Sequence, residues 1–402
     1  MRLLLIYPYV PYPLNRGTYH RVYNLARELG RYHAIDLFCL DEGGDAARAE
    51  AFAFAQRIHF EPFAHPPWPR LFPQRLLNPV PTTVQHWSSP GVAEALKKFA
   101  SGRKYDAVHF CDLVLWQYAS LLPRGPLRIM DRSRVDWLFQ LEELKHLQVD
   151  FTGRLLRREN LWKLGRYERQ VAAQIDATVV CGPEDEIFLR RHVPEAVKIK
   201  VLANGVDEAF FSREKFPPRP EPEPTVLFCG AMDYSPNVDG LKWYFEEVDA
   251  LLLKKTPNRR VLIVGKNPLP AVQALAARPG VTVTGEVPDV RPYYQKSWVQ
   301  MVPLRIGGGT RLKIVESLAL GTPVVSTTIG AQGLDLRDGE HLLLADTPDD
   351  FATQLALILE DEALRTRLSE AGRAQVLAHY TWRQLGRELS EAYETLLKEK
   401  LP

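Results

Sequence analysis

Short apolar runs alternate with longer segments of helical spacing along nearly the whole chain. Residues 3–7 form an unbroken apolar run that reads as a buried strand, and a Pro/Gly loop follows it as far as Gly17. Val22, Leu25, Ala26 and Leu29 then recur at the spacing that lines one face of a helix over residues 19–29. Further apolar runs at residues 34–40, 107–111, 127–130 and 177–181 read as strands. Strands that alternate with helices predict a parallel sheet covered by helices on both faces. Two stretches break the rhythm. Residues 60–87 are rich in proline and aromatic side chains with a few arginines, and residues 132–175 form a long, charged, helical excursion.

After a turn at Asn204-Gly205-Val206-Asp207 and the proline-rich stretch 217–224, which reads as a stiff linker, the same rhythm restarts. Residues 226–229, 260–264, 281–284, 299–303, 323–326 and 342–345 read as strands. The chain therefore divides into an N-terminal Rossmann-like domain at 1–205, a second at 206–380 and a terminal helix at 381–402. That helix is expected to cross back to the first domain. Open α/β sheets bind ligands at the carboxyl ends of their strands, which places the expected chemistry in a cleft between the two domains.

Composition narrows the function classes. The length of 402 residues suits two domains, and 46% hydrophobic with 25% charged residues is an ordinary globular balance. A net charge of +2 supplies no overall field that would recruit nucleic acid, and none is expected as a partner. The four cysteines lie apart in or beside apolar runs, without metal-binding spacing, and read as buried reduced thiols. No secretory signal and no apolar run of about 20 residues is visible, so the expected location is the cytoplasm. Contact with the inner face of the membrane stays open.

The chemistry concentrates in residues 303–325, PLRIGGGTRLKIVESLALGTPVV. A strand ends, glycines allow close backbone approach, and Thr310 is placed to cap the helix that follows. The amides and dipole of a helix start favour an anion such as a diphosphate. Arg305, Arg311 and Lys313 add cations. Glu316, two turns along the expected helix, is placed to accept hydrogen bonds from ribose hydroxyls. A plain Gly-rich turn with a solvated glutamate is the competing reading.

This stretch resembles the nucleotide-sugar site of the group 1, or family 4, glycosyltransferases, retaining enzymes of the GT-B fold. VLANGVD at 201–207 is similar to the family's interdomain segment, GEVPD at 285–289 to its G-x-V-x-D segment, and VESLALGTPVV at 315–325 to its EAMAxGxPVV signature. The opening PYPLNRG at 11–17 and MDRSRVDW at 130–137 resemble sugar transferases of exopolysaccharide and PEP-CTERM/exosortase loci. The resemblance implies two Rossmann-like α/β domains and metal-independent transfer, without a cofactor, from a nucleoside-diphosphate sugar to a saccharide or lipid-linked glycan. It implies donor contacts from Gly17, Gly230, Gly285, Val287, Arg305, Gly308, Gly309, Thr310, Arg311, Leu312, Lys313 and Glu316.

Four positions depart from the family pattern. The first of two paired glutamates falls at Gly308, and the phosphate-binding Arg and Lys fall at Ala231 and Asn237. Arg305, Arg311 or Lys313 is expected to supply that charge instead. A histidine near the transferred sugar falls at Cys111, beside His109 and Asp112. The N-terminal candidates for catalysis are Asp112, Asp131 and Arg21, with a helix-capping role open for either aspartate. His109, inside an apolar strand, reads as a core histidine ahead of a base.

Residues 60–87, with Trp68, Leu71, Phe72, Leu76 and Leu77 beside Arg70 and Arg75, have the composition of a membrane-interface surface. A Pro-rich loop packed on its own domain is the alternative. Rival functions are a GT-B epimerase or phosphorylase, and a catalytically degenerate scaffold that binds a nucleotide-sugar in a polysaccharide assembly complex.

Overall fold

The structure, a computed structural model, describes residues 1–14, 16–43, 46–66, 77–146, 150–195, 197–307 and 309–400. Asn15, Gly308 and the interfacial candidates Trp68, Arg70, Leu71, Phe72, Arg75 and Leu76 lie outside the described residues. The chain forms two compact units, Met1–Leu202 with Trp382–Pro402, and Ala203–Thr381.

The first unit holds a parallel sheet of seven strands: β1 (Arg2–Tyr7), β2 (Ala34–Asp41), β3 (Arg57–Pro62), β4 (Ala107–Cys111), β5 (Leu127–Asp131), β6 (Ala177–Val180) and β7 (Lys198–Val201). Their order is β3-β2-β1-β4-β5-β6-β7, so the direction of winding reverses between β1 and β4. Leu3 to Tyr7 of β1, Phe38 to Leu40 of β2 and Phe110 of β4 are almost wholly buried, because helices cover both faces of the sheet. α1 (Gly17–Leu29) follows β1 and buries Val22, Leu25, Ala26 and Leu29, the face read from the sequence. The excursion at 132–175 contains a helix at Asp136–His146 and α2 (Phe151–Ala172).

The second unit holds six parallel strands: β8 (Thr225–Cys229), β9 (Arg260–Val264), β10 (Val281–Gly285), β11 (Val299–Val302), β12 (Val324–Ser326) and β13 (Leu343–Leu344). Their order is β10-β9-β8-β11-β12-β13, with the switch between β8 and β11. α3 (Leu312–Leu320) follows β11, and Gly321 ends it in the left-handed conformation. The proline-rich stretch is no free linker. Arg219 and Glu221 donate backbone hydrogen bonds to the carbonyls of Gln295 and Lys296, and the Trp298 indole donates to the Glu221 carbonyl. These bonds lay the segment along its own unit.

The terminal helix α4 (Trp382–Lys400) belongs to the first unit. It lies against α1 so closely that a Cβ on Gly386 would stand 2.3 Å from the Glu28 Cβ. Trp382, Leu385, Leu389 and Tyr393 are buried beneath it. The α/β fold class with two Rossmann-like units is therefore present. All four cysteines are buried thiols outside any disulfide. Among the described residues, no helix is long and apolar enough to cross a membrane.

Candidate functional site

In the second unit the chemistry gathers at the switch point, where β8 and β11 end side by side and open α/β sheets bind their ligands. β11 gives way to the turn 303–311, in which Gly307 and Gly309 take φ of +118° and +73°. A side chain at either would be strained, which is why glycines stand here. Arg311 is buried under this turn, and a Cβ on Gly307 would lie 3.1 Å from its Nη2.

Thr310 does not cap α3. The helix begins later, at Leu312, with Arg311 in the N-cap position and no side-chain cap. The Thr310 hydroxyl instead accepts from the Asn204 backbone amide at 2.7 Å, while the Asn204 side chain donates to the Thr310 carbonyl at 3.1 Å. The NGVD segment thus pins the glycine turn. The late start also places Glu316 in the second turn of α3, nearer the helix start than the sequence suggests.

Lys313 turns back over the end of β8. Its ammonium donates to the Asn237 side-chain carbonyl at 2.9 Å, and it lies 4.2 Å from the centre of the Phe228 ring. The Asn237 amide in turn donates to the Ala231 carbonyl at 2.8 Å. Gly230 leaves the room: a Cβ there would meet Asn237 Nδ2 at 2.7 Å and Lys313 Nζ at 2.9 Å. Among Arg305, Arg311 and Lys313, the cations expected to supply the charge missing at Ala231 and Asn237, Lys313 hydrogen-bonds to Asn237. Burial, reinforced by the positive charge of Arg311, brings its pKa down to about 7.

Glu316 is half-buried behind Lys313 and accepts a long hydrogen bond, 3.4 Å, from the Tyr294 hydroxyl. Burial pushes its pKa up to about 7, against the pull of Tyr294 and of Lys313. Lys313 and Glu316 therefore both titrate near neutrality. The sequence reading missed Tyr294 and the clamp at Asn204. Asn204 lay in a motif noted only for its place in the chain, and Tyr294 in a segment without a distinguishing pattern.

Arg305 does not join this cluster. Its guanidinium forms a two-pronged pair with Asp239 at 2.7 and 3.0 Å. Leu312 opens α3, and Val287 packs on the apolar cluster that contains Ile314 and Tyr294. Gly285 ends β10 with open space where a side chain would point.

The candidates in the first unit separate. Gly17 is exposed at the start of α1. Arg21 and Asp131, expected to face a ligand, are 0% and 1% exposed. Arg21 donates through Nε at 3.1 Å and Nη2 at 2.8 Å to the same Asp131 oxygen, and through Nη1 to the Leu202 carbonyl. Burial favours the neutral acid, but Arg21 and His109 outweigh it and hold the Asp131 pKa at about 2. His109 is buried, 3.5 Å from Asp131 through Nε2 and hydrogen-bonded through Nδ1 to Tyr393 of α4. This is a core network that fastens strands to helices. Asp131 caps no helix: it ends β5 and spends its carboxylate on Arg21.

Asp112 stands apart from that network. At the end of β4, beside the switch point, it holds φ of +91°, a strained value for a residue with a side chain. Its carboxylate accepts from the Val114 amide at 3.2 Å, so the capping role is present. Burial and the nearby Asp136 charge push its pKa up to about 7.

Two family models match this chain. Glycosyltransferase Family 4 matches residues 16–210, and Glycosyl transferases group 1 matches residues 223–361. The chain belongs to the group 1, family 4 glycosyltransferases. Among curated relatives of the family, the phosphatidyl-myo-inositol mannosyltransferase of Mycobacterium tuberculosis H37Rv is 31% identical over 208 residues, which are 48% of this chain and 53% of that protein. The matched stretch thus spans about half the length of this relative.

Solved glycosyltransferase structures share the fold over nearly all of the chain. Sucrose-phosphate synthase from Thermosynechococcus elongatus superposes with a TM-score of 0.70 at 19% identity, covering 99% of this chain and all of its own. The Anabaena HepE protein solved with UDP and glucose superposes with a TM-score of 0.67 at 13% identity, covering 98% of this chain and 100% of its own. The GT-B fold class expected from the sequence is the class of these proteins.

Proposed function

We propose that this glycosyltransferase moves a sugar from a nucleoside-diphosphate donor to a hydroxyl of a saccharide or lipid-linked glycan, as a step in exopolysaccharide or other cell-surface glycan synthesis. The observation that carries the reading is the Lys313 ammonium beside Gly230 and Asn237, with Glu316 one turn further along α3. A compact cation at a glycine-lined strand end, close to a helix start, suits a diphosphate. A half-buried carboxylate next to it suits the paired hydroxyls of a ribose. That the HepE structure was solved with UDP and glucose supports the same class of donor.

In the reaction the bond between the anomeric carbon and the diphosphate oxygen breaks while the acceptor oxygen bonds to that carbon, on the same face, and the acceptor's hydroxyl proton passes to the departing diphosphate oxygen. Charge grows on the leaving diphosphate as the bond lengthens. Lys313, Arg311 and the first amides of α3 stabilise it there without reorganising, so their effect falls on the transition state. In this reading no metal ion is needed to hold the diphosphate. Asp112, strained and ionising near neutrality, is the residue we assign to the acceptor side. Arg21 and Asp131 act as positioning residues that hold the first unit's strand ends.

The test is release of nucleoside diphosphate with and without acceptor and with and without EDTA, comparing Lys313→Met with the unaltered protein. Acceptor-dependent, EDTA-resistant release that Lys313→Met cuts at least tenfold supports transfer by this route. Donor binding without turnover on any acceptor would instead favour the degenerate scaffold.

A further inference from the structure

α2 carries two different faces. Its inner face buries Leu161, Leu164, Val171 and Ala172, and Trp137 packs directly on Gly165, where a Cβ would stand 2.4 Å from the indole. The outer face is solvent-facing and is not what a surface helix ordinarily shows. Phe151, Leu155 and Trp162 are 83%, 50% and 64% exposed, three of the five most exposed large apolar side chains among the described residues. At 100° per residue, Phe151, Leu155, Arg158, Trp162, Arg166 and Arg169 fall on one narrow stripe along the helix. From Phe151 to Trp162 it runs about 16 Å at the helical rise of 1.5 Å per residue.

The charge on this helix is one-signed where it meets solvent. α2 contains six basic and two acidic residues. Of the two acids, Glu168 is buried against Arg132 and Glu159 is paired with Lys163 at 2.5 Å. Arg157 reaches Glu143, but Arg154, Arg158 and Arg166 are exposed and have no ion-pair partner among the described residues. A Phe/Leu/Trp stripe flanked by unpartnered arginines costs solubility without adding to the core. Its chemistry matches one surface in particular: apolar side chains that enter an acyl boundary while guanidinium groups meet anionic headgroups.

We propose that the outer face of α2 docks this protein on an anionic phospholipid surface. Phe151, Leu155 and Trp162 insert, and Arg154, Arg158 and Arg166 bind headgroup phosphates. The proposal does not rest on the transfer reaction, and its test does not use activity. It also places membrane contact on a part of the chain other than residues 60–87.

The test is co-sedimentation of the full chain with vesicles of phosphatidylcholine alone and of equimolar phosphatidylcholine and phosphatidylglycerol. Two triple variants are compared, Phe151→Ser/Leu155→Ser/Trp162→Ser and Arg154→Gln/Arg158→Gln/Arg166→Gln. All six positions are exposed, so both variants keep the inner packing, and circular dichroism checks the fold. Expected is binding to the anionic vesicles only, reduced about 100-fold by the arginine variant and at least about tenfold by the apolar one. The Trp162 emission should shift to shorter wavelength on binding, and Trp162→Phe should remove that change. Equal binding of either variant and the parent would overturn the proposal, as would no binding to anionic vesicles. A parent dimer that the apolar variant dissolves would assign the stripe to a second copy of the chain instead.

Discussion

At the scale of single residues, the site turns on how burial tunes two opposite charges. Lys313 and Glu316 both titrate at about 7, one lowered and the other raised by burial. The ammonium is lost as pH rises through that value and the carboxylate is lost as pH falls through it. Affinity for a nucleoside diphosphate should therefore peak near neutrality, each limb falling at most about tenfold per pH unit. Lys313→Met is expected to flatten the alkaline limb and Glu316→Gln the acid limb, as read by titration calorimetry across pH. A profile unchanged by either substitution would remove these groups from the site.

Asp131 makes the opposite case. Its carboxylate is committed to Arg21, and Asp131→Ala would leave a buried guanidinium without its charge partner, a loss of about 3–5 kcal/mol. Chemical denaturation should show that loss directly. A variant of parental stability would mean that Asp131 is held for a ligand after all. The sequence could place Asp131 at a strand end, but partners 110 residues apart are invisible to local pattern.

At the scale of elements, strands buried on both faces were legible because each is a continuous apolar run. β3 and β7 were not. They are edge strands, RIHFEP and KIKV, whose side chains are mostly half-exposed and carry charges that break the run. The start of α3 was misplaced for a different reason. Threonine before a helix normally caps it, but the Thr310 hydroxyl is taken by Asn204, which no local rule reveals.

That clamp has a consequence at the same scale. Asn204→Ala removes the hydrogen bond to the Thr310 carbonyl and should cost about 1 kcal/mol of stability. By loosening the glycine turn it should also weaken nucleoside-diphosphate binding several-fold. Thermal unfolding and calorimetry on the same sample check both, and lost stability with unchanged affinity would show that the turn does not need the clamp.

At the scale of the whole molecule, the fold class followed from a strand-helix rhythm that runs twice, and the proposed donor contacts Lys313 and Glu316 were read from one motif. Less legible was what holds the last helix. α4 covers the first unit with four large buried side chains and supplies Tyr393 to His109. Each such side chain contributes roughly 1.5–3 kcal/mol by burial. A chain ending at Thr381 should consequently lose the cooperative unfolding of its first unit, seen by calorimetric scanning. An unchanged first transition would contradict the role assigned to α4.

The central claim is that α3 and its glycine turn bind a nucleoside-diphosphate sugar through Lys313 and Glu316. Its most direct test is calorimetric titration with UDP, GDP, ADP and their sugar conjugates, in EDTA, for the parent and for Glu316→Ala. The account predicts binding of one base in the absence of metal, weakened on the order of 100-fold when the carboxylate and its hydrogen bonds to ribose are lost. Binding that needs added metal, or that Glu316→Ala leaves unchanged, would contradict it.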